Sequence, residues 1–319
     1  MGLLGAALAW RANQQHFASD LDEGLAAARY LWAGLDPYTH VGPGLASQYA
    51  WHVYYPLPAI VLEMPLALLS DQAAHIVFVA VSCALLGAAV ARTGSYRMVL
   101  FMSGAFMKAA LLTQWSPVLT AAVLWPALGF VYAAKPNIGA AQWAARPSRV
   151  ALVGSLALVT LSFALDPGWL GNWMRTSPMA PHLRPAFLYP WGWLVLLAAL
   201  RWRRPEARLL LFLALVPQTW AEYAVLPLFL VTSNLTEAVL LVIGTYVVGY
   251  YAHFAHPATT DLDYIATSGR VIVLACFLPC LAMVLRRPNV GALPAWLERL
   301  LARSARAVRS APAHQHSSS

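Results

Sequence analysis

Apolar stretches long enough to span a bilayer recur from about residue 56 to residue 285, separated by short polar punctuation. Inside a hydrocarbon core every backbone N–H and C=O must find a partner, which leaves only helices and closed barrels. The alternation of a lipid-facing barrel is missing. The pattern therefore predicts an all-α, polytopic integral membrane protein with about 8–10 transmembrane or re-entrant helices. Composition agrees: 60% of residues are hydrophobic and 11% charged, against roughly 45–50% and about 25% in soluble domains. Expected spans lie near 56–70, 73–91, 97–112, 117–134, 148–165, 187–200, 206–231, 235–256 and 268–285.

The net charge of +8 raises the question of nucleic acid, but the positions of the charges answer it. Arg201, Arg203, Arg204 and Arg208 cluster between apolar segments, and Arg286, Arg287, Arg299, Arg303, Arg306 and Arg309 gather at the C-terminus. Arginine massed at span ends marks the cytoplasmic side, so the charge reports orientation and no nucleic-acid partner is expected. Cys83, Cys276 and Cys280 all fall in apolar segments and read as small buried hydrophobes.

Four regions follow. Residues 1–12 form a partial first transmembrane segment, since about ten apolar residues fall short of the roughly 20 required; a truncated or misassigned start is the expectation. Residues 13–50 form an external loop, residues 51–286 the transmembrane helical domain, and residues 287–319 a cytoplasmic basic amphipathic helix and tail, with the helix near 294–309. Within the external loop Leu21, Leu25, Ala28 and Trp32 recur at helical spacing, predicting an amphipathic surface helix of about four turns that ends at Gly34 and Pro37. The stretch 206–231 carries Pro217 to Tyr223 in its middle and reads as two short helices meeting at a polar break. Counting loops from the two ends gives opposite parity, which places a non-crossing or re-entrant segment between 92 and 147, where Pro117, Pro126, Pro136 and Pro147 fall.

Several polar groups carry two readings. Asp20, in Ser19-Asp20-Leu21-Asp22-Glu23, is either a base at the membrane surface or the N-cap of the helix that follows, with Glu23 completing a capping box. Asp20 and Asp22 have the spacing of a metal-binding pair, so a divalent metal stays open and no other cofactor is expected. Lys135 reads as a point charge for a lipid-linked phosphate or as a snorkelling interfacial lysine. Gln114 to Pro117 is a polar break that lines a cavity or caps two helices. Glu222 and Tyr223 are polar at membrane depth, a functional position by default, or part of a short loop reaching water. Arg175, His182 and Arg184 are contacts for a phosphate or sugar, or solvated loop charges. His253 and His256 with Asp261 and Asp263 offer weak metal spacing.

In order along the chain stand Ser19-Asp20, Ala28-Arg29, Gly34 to Tyr38, Tyr55 to Ala59, Pro65 to Ala67, Gln114 to Pro117, Lys135 to Gly139 and Trp220 to Tyr223. This ordered set resembles the GT-C membrane glycosyltransferases, specifically glycosyltransferase family eighty-seven, from about residue 17 to residue 235. The resemblance implies a GT-C-like fold and sugar transfer, mannose- or arabinose-like, from a polyprenyl-phosphate donor to a glycan or lipid acceptor. It implies Asp20 as the catalytic base of an inverting displacement at the external face of the cell membrane, and Lys135 at the donor phosphate. Arg175 and Arg184 follow as further phosphate contacts, with Asp22, Glu222 and Tyr223 orienting substrate. Three departures stand out: the shortened first span, the short interval from Gln114 to Lys135, and Glu222 where many members carry histidine. The competing class is a non-catalytic polyprenyl-lipid-binding or transport protein on the same scaffold; a transporter would place charges deep in broken helices, for which Glu63, Lys108 and Glu222 are the only candidates.

Overall fold

The computed structural model of this chain describes residues 1–15, 19–180 and 183–292, together with 295, 298 and 299. From the N-terminus its helices are α1 (Gly2–Gln14), α2 (Leu21–Trp32), α3 (Leu57–Glu63), α4 (Asp71–Ala91), α5 (Gly104–Leu111), α6 (Ser116–Leu124) and α7 (Pro136–Ala145). There follow α8 (Arg149–Leu165), α9 (Trp169–Thr176), α10 (Pro205–Leu215), α11 (Leu235–Tyr250), α12 (Asp261–Ile272) and α13 (Leu278–Leu285). Short 3₁₀ pieces link several of them, and π-helical turns extend α11 to Ala255 and fuse α12 to α13. Among the described residues β-type pairing is confined to two isolated bridges, Val41 with Ser47 and Arg184 with Gln218.

Among the described residues three rods are long and apolar enough to cross a membrane: α4, Leu235–Ala255 and Asp261–Leu285. A fourth arises if α8 and α9, bent by 101°, count as one span. The remaining expected spans fold as shorter pieces, for local reasons. The stretch 97–112 breaks at Ser103, whose hydroxyl accepts the Phe106 N–H at 3.1 Å and so starts α5 afresh. The stretch 117–134 breaks before Pro126, which lacks the N–H that would continue α6. Pro136 then opens α7. The region in which loop parity fails to close is thus built of short helices. The expected break in 206–231 is present: α10 stops at Leu215, and a 3₁₀ run starts at Glu222.

Packing follows membrane habits. Helix α1 lies against α4 through small residues: a Cβ on Gly5 would fall 2.8 Å from Cys83 Sγ, and one on Gly2 3.1 Å from the Ala80 carbonyl oxygen. On α8 and α11 the outward residues Val150, Val153, Leu156, Leu240, Ile243 and Val247 are exposed. So much contiguous apolar surface is matched to lipid.

Helix α2 forms as its spacing predicts, with Leu21, Leu25 and Ala28 buried. It does not lie loose on a surface, however. Gly24, Ala26 and Ala27 are buried too, because α3 and α4 enclose it. Trp32 departs from the expected buried stripe; it is exposed and donates its indole N–H to the Met64 carbonyl at 2.9 Å. The basic helix expected near 294–309 lies almost wholly outside the described residues.

Candidate active site

Helix α2 begins where a cavity of about 1180 Å³ opens between α2, α5, α7 and the start of α12. Helix starts leave N–H groups in need of acceptors, and the sequence offers Asp20 for that task. The structure gives the task to its neighbours. Ser19 Oγ accepts the Leu21 N–H at 3.2 Å, and Asp22 Oδ2 accepts the Ser19 N–H at 3.3 Å. The expected capping box is therefore displaced by one residue, and the Asp20 carboxylate makes no bond to the helix it precedes. Its backbone N–H is held by the Leu112 carbonyl at 3.2 Å, while the side chain opens into the cavity.

The partner waiting there is Gln114. The turn between α5 and α6 puts Thr113 at φ 54° and returns the Gln114 N–H to the Ala109 carbonyl at 2.8 Å. This aims a buried carboxamide at Asp20 and Lys135, both on the cavity wall. Gln114 donates through Nε2 to Asp20 Oδ2 and accepts through Oε1 from Lys135 Nζ at 3.1 Å. The orientation of the amide is dictated by its partners, since a carboxylate only accepts and an ammonium only donates. Lys135 precedes Pro136, which disfavours helical backbone at the residue before it, and Lys135 accordingly sits outside the helical region (φ −132°, ψ 79°). Its ammonium lies 5.1 Å from the Tyr55 ring centre and 5.9 Å from that of Tyr223, distances at which a cation is attracted to the ring face.

Electrostatics follow from enclosure. Although Asp20 is accessible from the cavity, protein surrounds it, and loss of bulk water raises its pKa above the usual carboxylate range. The charge of Lys135 and the Gln114 amide pull it partly back. The same enclosure pushes Lys135 down to about 8, opposed by the negative charges of Asp20 and Glu63. Glu23, also on the cavity wall, is pushed up to about 8 by burial, then by Asp20 and Asp22.

Asp22 has a separate anchor. Its Oδ1 is 2.7 Å from His75 Nε2, and His75 Nδ1 is 2.8 Å from Asn13 Oδ1, so three helices converge on the turn that carries Asp20. The two carboxylates of the Asp20-Leu21-Asp22 triplet thus diverge, one to Gln114 and one to His75. Among the described residues no group of three His, Cys, Asp or Glu side chains is placed to share a metal. His253 packs on Tyr264 and His256 on Tyr251.

The other expected residues fall into two sets. Tyr223 lines the cavity beside Lys135. Glu222 is buried and turned away, accepting the Tyr264 hydroxyl at 2.5 Å. The arginines are not brought in. Arg175 donates to Asn172, itself bound to Asp36 at 2.7 Å, and Arg184 donates to the Leu188 carbonyl at 2.8 Å with its guanidinium 4.8 Å from the Tyr189 ring centre. Each satisfies its own loop. The Arg184 main chain does matter: it pairs with Gln218, and its carbonyl accepts the Trp220 indole N–H at 2.6 Å, stapling the loop to the polar break.

His75 and Tyr264 carry no site signal in the sequence: His75 is a histidine within a largely apolar helix, and Tyr264 is one of several polar residues at the start of α12. Glu63, weighed in the sequence only as a transporter charge, is buried on α3; it accepts the Trp115 indole N–H at 3.2 Å, and its second oxygen has no partner among the described residues. Neither known protein families, nor curated proteins, nor solved structures give a match to this chain.

Proposed function

We propose that this protein is a GT-C-type membrane glycosyltransferase that moves a sugar from a polyprenyl-phosphate donor to a hydroxyl of a glycan or lipid acceptor. The observation that carries the reading is Asp20: a carboxylate at a helix start, relieved of capping by Ser19 and Asp22, held by Gln114, and open to a large cavity. An enclosed carboxylate with a raised pKa is a stronger base than one in water. In the reaction the acceptor oxygen attacks the anomeric carbon while its proton passes to Asp20. The bond from that carbon to the phosphate oxygen breaks, and the electron pair leaves with polyprenyl phosphate. One displacement inverts the anomeric centre. Lys135, one amide away from the base, supplies positive charge against the departing phosphate. Tyr223 shapes the wall beside it, and Asp22 acts by fixing the turn.

In this reading the short helices complete a GT-C-like bundle of about 8–10 crossing or re-entrant segments. The cavity faces the external side of the cell membrane, and the arginine-rich C-terminus faces the cytoplasm.

The test is release of polyprenyl phosphate from a panel of polyprenyl-phosphate sugars by protein in nanodiscs, wild type against Asp20→Asn. Release that vanishes in the variant, with its melting curve retained, supports transfer with Asp20 as base. Equal release from both removes Asp20 from the chemistry. Donor binding with no release from either, when acceptors are supplied, favours a non-catalytic lipid binder.

A further inference from the structure

The cavity occupies one end of the bundle, and arginine collects at the other. Helix α7 starts on the cavity wall at Pro136, the α12–α13 rod at Asp261, and α4 close to the Asp22 turn that His75 reaches. All three end away from the cavity, and Arg146, Arg286 and Arg92 stand at those ends. Arg149 opens α8, and Arg203 lies between the 3₁₀ run Gly192–Arg201 and α10. Arg97 is within electrostatic reach of both Arg146 and Arg287, and Asn289 Oδ1 accepts the Arg203 N–H at 3.1 Å, so these chain segments meet at one end.

Two kinds of arginine are present there. Arg97 and Arg287 donate to the carbonyls of Thr232 and Val231 at 2.9 and 2.7 Å, and Arg201 to that of Arg287 at 2.7 Å, tying helix ends together. The two glutamates packed among them are already matched, Glu206 3.6 Å from Arg204 and Glu237 2.5 Å from Arg287. Arg92, Arg146, Arg149, Arg203 and Arg286 are different: all five are exposed, and none of their side chains forms a hydrogen bond or ion pair with a described residue. Arg92 lies 4.7 Å over the Trp125 ring. The apolar surface that meets lipid stops where these arginines begin. Exposed Val150 and Val153 follow Arg149 on α8, while α4 and the α12–α13 rod, both long enough to cross, give way to Arg92 and Arg286. A cation at that depth meets lipid headgroups first. We propose that this end of the protein binds the headgroups of net-anionic phospholipids. The guanidinium fork fits phosphate oxygens, and five cations without a protein anion call for lipids whose phosphate is not offset by a choline. No sugar chemistry enters, so the surface stands or falls apart from the transfer reading.

The test follows the lipid retained by the full chain. Protein from nanodiscs of phosphatidylcholine and phosphatidylglycerol in equal parts is released into mild detergent, and the lipids still bound are counted by native mass spectrometry. Wild type is expected to hold phosphatidylglycerol in preference, by about fivefold for each arginine engaged. High salt should erode that preference. Arg146→Gln, Arg149→Gln and Arg286→Gln combined should bring the ratio close to that of the bilayer, while Lys at the same positions should keep most of the preference. A melting curve retained in pure phosphatidylcholine certifies that the Gln variant is folded. Lipids held in the bilayer ratio by wild type, or equal enrichment in the Gln variant, overturn the proposal. Heparin bound by wild type in phosphatidylcholine nanodiscs, without phosphatidylglycerol enrichment, assigns the surface to a soluble acidic partner and ends the lipid reading.

Discussion

Asp20 and Lys135 communicate through a third side chain, since the Gln114 carboxamide donates to the carboxylate and accepts from the ammonium. A direct ion pair would have stabilised both charges and left neither available. The intervening amide keeps them opposed yet separate, with the carboxylate's remaining acceptor sites facing the cavity.

This separation sets an expected pH profile. Turnover should rise on the acid side through a pKa above the ordinary aspartate value, as Asp20 ionises. It should fall on the alkaline side near 8, where Lys135 loses its proton. Lys135→Arg keeps its charge at all accessible pH, so its residual activity should lack the fall near 8. An alkaline limb unmoved in that variant would assign it to another group, with Glu23 next in line.

The division of labour at the start of α2 predicts an inversion of the usual capping result. Replacing an N-cap side chain by Ala typically costs about 1 kcal/mol. That loss should appear for Ser19→Ala, whose hydroxyl serves the Leu21 N–H. Asp20→Asn, which keeps an acceptor for the buried Gln114 amide, should change stability by no more than about 0.5 kcal/mol while removing activity. Thermal melts of the two variants in one detergent decide it, and a larger loss for Asp20→Asn than for Ser19→Ala would return the carboxylate to a structural role.

How much of this was legible in the sequence depends on what each residue answers to. Helix α2 and the polar break after Leu215 were readable because local spacing and proline dictate them. Asp20, Lys135 and Tyr223, each a polar group beside an apolar run, all line the cavity. The assignment of Glu23 to a capping box failed by one position, since Ser19 and Asp22 satisfy the same rule and nothing local separates the two registers. Arg175, near the end of α9, and Arg184, in the loop after it, each bond acceptors close in sequence, which spacing alone does not reveal. His75 was out of reach: its meaning comes from Asp22 and Asn13, 53 and 62 positions away.

Gly24 should tolerate no side chain. A Cβ there would lie 1.8 Å from Glu63 Oε2. Alanine gains about 0.5–1 kcal/mol over glycine in a helix, but overpacking of a buried contact costs about 1–3 kcal/mol, so the clash wins. Gly24→Ala is expected to lower the melting temperature, and adding Glu63→Ala should recover most of the loss. A Gly24→Ala protein as stable as wild type would show that α2 and α3 can part without cost.

Glu23 makes a prediction about stability. Its folded pKa, about 8, lies above the unfolded value near 4.5, so the folded state holds the proton more tightly. That contribution is complete below about pH 4.5 and is lost as pH rises through about 8. Glu23→Gln carries no proton to lose. Between pH 5 and 8.5 wild type should therefore lose more melting temperature than the variant, and parallel curves would count against the buried, protonated carboxyl.

The glycine contacts of α1 act as a ruler. With Gly2 against Ala80, Gly5 against Cys83 and Met1 against Gly87, the two backbones can mesh in one axial setting. Asn13 meets His75 about two turns further along the same helix. A slip of a single turn would carry Asn13 about 5.4 Å past its mark. Enlarging Gly5, far from any polar chemistry, would thus be felt first as misalignment at the aspartate turn.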